Sequence, residues 1–185
     1  MPSITLETPS LKHRDEFLAA VARSHKLHYP WVSPPDGPQA FADYLKRLKS
    51  PNFEAFAIKT EAGELAGVIN ISEIVRGSFL SAYLGYYAFV PHNNRGLMTH
   101  GLEAVLHKAF RELGLHRLEA NIQPENQASR RLVKGLGFRQ EGFSPRYLKI
   151  AGRWRDHERW ALTVEEWSKR SRTQTTAPLN RGLRG

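Results

Sequence analysis

Apolar and polar positions along this chain repeat with two periods, near two and near 3.6 residues, and the switches between them mark its elements. Ile4–Thr8 reads as a short strand, and a helical stretch follows from Ser10 to Leu27. Pro30, Pro34, Pro35, Gly37 and Pro38 break that pattern into a loop, after which a second helix is predicted from Gln39 to Lys49. Glu54–Thr60 and Glu64–Ile74 form a hairpin pattern turning at Ala62-Gly63, Arg76-Gly77-Ser78 is a second turn, and Ser81–Val90 is a strongly apolar strand. The clearest helix carries Leu102, Val105, Leu106, Ala109, Phe110 and Leu113 on one side and Glu103, Lys108, Arg111 and Glu112 on the other, with Gly114 as its C-terminal cap. Arg117–Ile122 alternates as a strand, and Asn126 can cap a helix that Gly137 closes. Two last strands lie near Phe138–Ile150 and Trp154–Leu162. Strand–helix–strand crossovers beside antiparallel hairpins predict an α+β fold, a mixed, mostly antiparallel sheet of about seven strands with helices on both faces.

At 185 residues the chain is long enough for one domain with a real core, placed here at 1–168. Five of its nine net positive charges, Lys169, Arg170, Arg172, Arg181 and Arg184, sit in residues 169–185, which hold no acid. That segment is also rich in Ser, Thr, Pro and Gly, so it reads as a basic, poorly ordered tail that either touches ribosomal RNA weakly or aids solubility. A body near +4 suits an anionic small molecule without demanding a polyanion. The absence of Cys excludes disulfides, thiolate metal sites and Cys nucleophiles. No apolar run approaches 18 residues and the start lacks a secretion-signal layout, so the expected compartment is the cytoplasm, with no membrane partner. The eight His show no metal-ligand spacing, so no metal is expected; His100 and His107 lie two helical turns apart.

The candidate chemistry begins at Phe89-Val90-Pro91-His92-Asn93-Asn94-Arg95-Gly96-Leu97-Met98-Thr99, where an apolar strand runs through a short polar loop into a helix. Such a junction aims unpaired N–H groups and a helix dipole at one point, which is how backbones hold phosphate. Taken alone it is equally an ordinary tight turn, and it lacks the nucleoside-triphosphate and dinucleotide glycine fingerprints. The segment Ile122-Gln123-Pro124-Glu125-Asn126-Gln127-Ala128-Ser129-Arg130, followed by Leu136-Gly137-Phe138, gives it a second half.

With these pieces the chain resembles the GNAT family of acetyl-CoA-dependent N-acetyltransferases over roughly residues 3–165. Val75-Arg76-Gly77-Ser78-Phe79, Tyr83-Leu84-Gly85-Tyr86, Gly96-Leu97-Met98 and Trp154-Arg155-Asp156-His157 are similar to its RimJ/RimL branch, which acetylates ribosomal-protein N-termini. The resemblance implies a sheet splayed at the CoA site and CoA pyrophosphate on Asn93, Asn94, Arg95, Gly96, Leu97, Met98 and Thr99. It further implies pantetheine beside Phe89 and Val90, with Asn126 and Ser129 also on CoA. Asn93 stands where the family has Arg or Gln, and Met98 where it has a small residue; backbone N–H groups do most of the phosphate binding, so neither abolishes it. Many members use a Tyr of the following helix as general acid, but Val133 aligns there and cannot donate; Ser129 resembles the serine given that role in RimL-like enzymes, or is a helix-surface serine.

Glu73 is the candidate general base, or else a solvated strand carboxylate, while Asp156 and His157 read as structural. The acceptor is expected near Tyr29, Trp31, Arg76 and Tyr147, although Tyr29 and Trp31 could equally be packing residues. An α-amine with a pKa near 7.7–8.0 is already about 10–20% neutral at pH 7, against about 0.04% for Lys, so weak base catalysis suits an N-terminal acceptor. The expected reaction is direct transfer through a ternary complex to an Ala- or Ser-type protein N-terminus, of a ribosomal protein, with an oxyanion held by backbone N–H near Val90. The alternatives are a small-amine acceptor, an aminoglycoside or polyamine, or a catalytically silent CoA- or RNA-binding module; monomer and homodimer both remain open.

Overall fold

The computed structural model describes residues 3–175, the side chains of 171–175 excepted. Strands β1 (Ile4–Glu7), β2 (Glu54–Thr60), β3 (Leu65–Val75), β4 (Ser81–Ala88), β5 (Arg117–Ile122), β6 (Arg139–Ile150) and β7 (Arg153–Thr163) form one sheet in the order β1-β2-β3-β4-β5-β7-β6. All neighbours are antiparallel except β4 and β5. The helices are α1 (Arg14–Arg23), α2 (His25–His28), α3 (Pro38–Arg47), α4 (Leu97–His107), α5 (Gln127–Gly135) and α6 (Val164–Thr175). The expected seven-stranded mixed sheet is present.

Strand alternation divides the interior into two cores, one on each face. In β2, Phe56 and Ile58 join Leu102, Val105, Leu106 and Phe110 under α4, whereas Ala55 and Ala57 join Phe17, Phe41 and Tyr44 under α1 and α3. Buried Lys59 is paired with Glu16, which also accepts from the Leu65 N–H at 2.6 Å and so ties α1 to the sheet.

Three details depart from the sequence pattern. The first predicted helix becomes a 3₁₀ turn (Leu11–His13), α1 and α2, broken at Ser24. Ser24 is fully buried, its Oγ accepts from the Val90 N–H at 3.0 Å, and Arg23 Nε donates to Val90 O at 2.7 Å. Those bonds to the end of β4 hold the break. The helix after the loop widens into a π-helical turn over Lys108–Glu112, closed by Leu113 N–H on Lys108 O at 2.9 Å. Residues 164–175 form α6, so the first part of the basic segment is helical; 176–185 lie outside the described residues.

The sheet opens on one side of β4. β4 and β5 pair only at Ser81–Tyr83 with Arg117–Glu119, while β3 follows β4 as far as Ala88. Phe89 N–H donates to Ala66 O at 2.8 Å. Antiparallel alternation therefore turns the backbone of Tyr87 toward β3 and that of Tyr86 and Ala88 toward the open edge. Ala88 O is held there by His28 Nε2 at 2.8 Å.

Candidate active site

Two cavities meet in that opening. The first, about 270 Å³, is lined by the 92–99 loop and turn, by Tyr86–Ala88 of β4, by Leu27, His28, Trp31 and Val32, and by Asn126, Ser129 and Leu132. The second, about 390 Å³, is lined by Ser72 and Glu73 of β3, Tyr83 of β4, Asn121 and Gln123, and Tyr147, Leu148, Ile150 and His157 of the β6–β7 hairpin. Trp31, Val32, Tyr86, Asn126 and Ser129 line both, so they form the shared wall.

The first chamber is built to hold an anion at one end. Asn94 (φ +60°) and Gly96 (φ +77°) both take left-handed backbone, which bends the loop into the start of α4. The N–H groups of Leu97, Met98 and Thr99, in the first turn of α4, have no carbonyl four residues back within the helix and are exposed to a ligand there. Arg95 beside them supplies a cation. Toward the other end, the open edge of β4 offers the Tyr86 and Ala88 N–H groups to an extended polar chain, between walls contributed by Leu27, Val32 and Leu132. A phosphate head on a narrow amide-bearing arm fits this shape.

The shared wall carries a hydroxyl pair, with Tyr86 Oη and Ser129 Oγ 2.6 Å apart. Burial raises the Tyr86 pKa while its bond to Ser129 opposes that, so the phenol stays protonated at neutral pH. Ser129 is positioned from two sides. Its N–H donates to the Asn126 side chain at 3.1 Å, capping α5, and next to it Arg130 Nε bonds buried Glu158 of β7 at 2.9 Å. Val133, one turn on, is fully buried in the core.

Around the second chamber, Gln123 Nε2 donates to Pro30 O and Trp31 O at 3.2 and 3.3 Å and fixes the loop that presents Trp31. Hydrogen bonding with Tyr147, reinforced by burial, pushes Tyr83 up to about 12. Burial lowers the pKa of His157, against its bond to Arg155 O and the nearby Asp156 carboxylate, and the ring is therefore neutral at pH 7. Glu73 is the one carboxylate among this chamber's lining residues; it is exposed and sits at φ +51° where the β3–β4 register shifts.

The structure thus brings together Asn93, Asn94, Arg95, Gly96, Leu97, Met98, Thr99, Asn126 and Ser129 in the first chamber, and Glu73, Trp31 and Tyr147 in the second. It does not bring the remaining four. Phe89 is fully buried, packed edge-on to Phe17 at 5.8 Å. The Val90 N–H is taken by Ser24 Oγ, so the strand-edge N–H groups nearest the opening belong to Ala88 and Tyr86 instead. Tyr29 is 58% exposed and stacks on His25, and Arg76 Nη1 is bonded to Leu113 O at 2.6 Å; neither lines a chamber. Sequence reasoning missed Tyr86, Tyr83, His28 and Gln123 as site residues. Tyr86 lay inside a motif already singled out, and strand alternation from Tyr87, paired to β3, could have turned attention to it.

Residues 3–139 match the family model of the acetyltransferase (GNAT) domain. A probable N-acetyltransferase of Bacillus subtilis, YjcK, is 36% identical over 121 residues, 65% of this chain and 67% of that protein. A ribosomal protein uS5-alanine N-acetyltransferase of Escherichia coli is 43% identical over 105 residues, 57% of this chain. The match spans 54% of that relative, about half its length. Among solved structures, Mycobacterium smegmatis RimJ in complex with CoA-disulfide is similar with a TM-score of 0.81 and 26% identity, covering 93% of this chain and 89% of that one.

Proposed function

This chain belongs to the GNAT acetyltransferase family, and we propose that it acetylates the N-terminal α-amine of a protein, an Ala- or Ser-initiated ribosomal protein, by direct transfer from acetyl-CoA. The observation that carries this reading is the shared wall: one hydroxyl pair, Tyr86–Ser129, borders both the anion-binding chamber and the second chamber. A thioester reaching that wall from the first chamber would meet an amine entering from the second. The amine attacks the carbonyl carbon, the developing oxyanion lies against the N–H groups at the open edge of β4, and Ser129 gives its proton to the departing sulfur, with Tyr86 ready to restore it.

The acceptor assignment draws on the likeness to the uS5-alanine acetyltransferase and on charge. The second chamber presents one carboxylate, and the hairpin beside it carries Arg146, Lys149, Arg153, Arg155 and Arg159, none in an ion pair among the described residues. A hairpin whose cations outnumber its acids disfavours a polyamine and tolerates a polypeptide with one terminal amine. Such an enzyme works where acetyl-CoA and new protein N-termini meet, the cytoplasm. Among the described residues no helix is long and apolar enough to cross a membrane.

The purified protein is incubated with acetyl-CoA and an Ala-initiated peptide, an N-terminally blocked peptide with an internal Lys, or spermidine, and products are mapped by mass spectrometry. Acetylation of the α-nitrogen is expected. Acetylation confined to the Lys peptide or to spermidine would overturn the acceptor assignment.

A further inference from the structure

We propose that His157 is the general base of this transfer, its Nε2 taking the proton that the acceptor nitrogen loses. The inference rests on the acetyltransferase reading above and adds a residue that the sequence pattern marks only as structural. His157 lies on β7 with its side chain almost wholly buried, 3% exposed, yet its ring lines the second chamber together with Tyr86 and Ser129 of the shared wall. Its Nδ1 is 2.9 Å from Arg155 O. A carbonyl oxygen only accepts, so the neutral ring carries its proton on Nδ1 and leaves a lone pair on Nε2. No group among the described residues bonds Nε2, so that lone pair is free for a ligand in the chamber.

The neighbours favour this role. From β6 the Tyr147 ring stands 6.2 Å away, and Tyr83 of β4, bonded to Tyr147, stays a neutral phenol at working pH. On its own strand, the Asp156 carboxylate is committed to the Arg146 N–H at 2.7 Å, and Arg155 presents its backbone oxygen to the ring. Glu73 of β3 is the one carboxylate lining the same space, and it is exposed to solvent.

The step balances as follows. The neutral amine forms the N–C bond, and the resulting N–H⁺ passes one proton to Nε2. The C–S bond then breaks and the sulfur takes one proton from Ser129. The imidazolium returns its proton to solvent through the chamber mouth, and Tyr86 returns a proton to Ser129 and is itself reprotonated from solvent.

Two variants separate catalysis from architecture. H157N places an amide nitrogen where Nδ1 stood, keeping the bond to Arg155 O while removing the base; H157A opens a cavity that dissolved imidazole can enter. The readout is kcat at saturating acetyl-CoA and Ala-initiated peptide from pH 6 to 9, alongside CoA affinity. Burial holds the His157 pKa below its usual 6.5, so the base is deprotonated, and wild-type kcat level, above that pH. For H157N we expect kcat about 100-fold lower at pH 7 and rising with pH as hydroxide replaces the base, with CoA affinity unchanged. In H157A, added imidazole should restore turnover. Wild-type kcat in H157N would overturn the assignment, as would an H157N profile as level as the wild type's while E73Q shows the loss and the rise with pH. If the wild-type protein acetylates no α-amine, the acceptor assignment above falls first, a result distinguishable from the other two.

Discussion

Ser129, proposed as the acid that protonates the leaving sulfur, is a residue of ordinary type in unusual surroundings. On a solvent-facing helix a serine hydroxyl bonds water; here it is 2.6 Å from a buried phenol, at a wall between two chambers, with its backbone fixed by the Asn126 cap. Ser129→Ala should therefore lower kcat by roughly 100-fold while leaving acetyl-CoA affinity within about twofold, because the lost proton transfer belongs to the transition state alone. Steady-state kinetics combined with CoA titration make the check. An unchanged kcat would remove Ser129 from the mechanism. The same scale moves the proposed oxyanion donors: the Val90 N–H belongs to Ser24, and the backbone that remains available is two and four residues earlier, at Ala88 and Tyr86, on the strand edge that β5 leaves uncovered.

Elements position these residues through a few close contacts. Gly67 of β3 faces Ala88 of β4, and α4 lays Met98 over that spot. A Cβ on Gly67 would stand 2.6 Å from Met98 Cε and 2.9 Å from Tyr87 O. The methionine end can swing aside but the strand backbone cannot, so Gly67→Ala should cost about 1–3 kcal/mol and lower the unfolding temperature, measured by calorimetry. It should also weaken CoA binding by displacing the first turn of α4. The bulky Met98 that departs from the family pattern is thus housed by a glycine on the neighbouring strand. Local signals made most elements legible in the sequence: the apolar period of α4, the Asn126 cap and the hairpin turns are all short-range. The break at Ser24 was not legible, because its cause is a bond to Val90, 66 residues away. Helix α6 was legible and overlooked. Thr163 and Glu166 form a capping box, with the Thr163 N–H bonded to Glu166 at 2.9 Å, and that spacing stands in the sequence. The loop end of the first chamber could be read from one segment, whereas the Tyr86–Ser129 wall and the His157 beside it required β4, α5 and β7 to be placed in space.

At the scale of the whole molecule, function follows from one topological fact. A single parallel pair in an otherwise antiparallel sheet separates after Tyr83 and Glu119, and the gap exposes strand backbone to a ligand from one face while the β6–β7 hairpin closes the other end. On the proposed reading, two substrates are held there at once and meet at the hydroxyl pair without a covalent intermediate. Initial rates over a matrix of acetyl-CoA and Ala-initiated peptide concentrations test that account most directly. Intersecting double-reciprocal lines, with the acetyl group on the peptide's α-nitrogen, are the predicted result; parallel lines, indicating that the acetyl group first moves onto the protein, would contradict it.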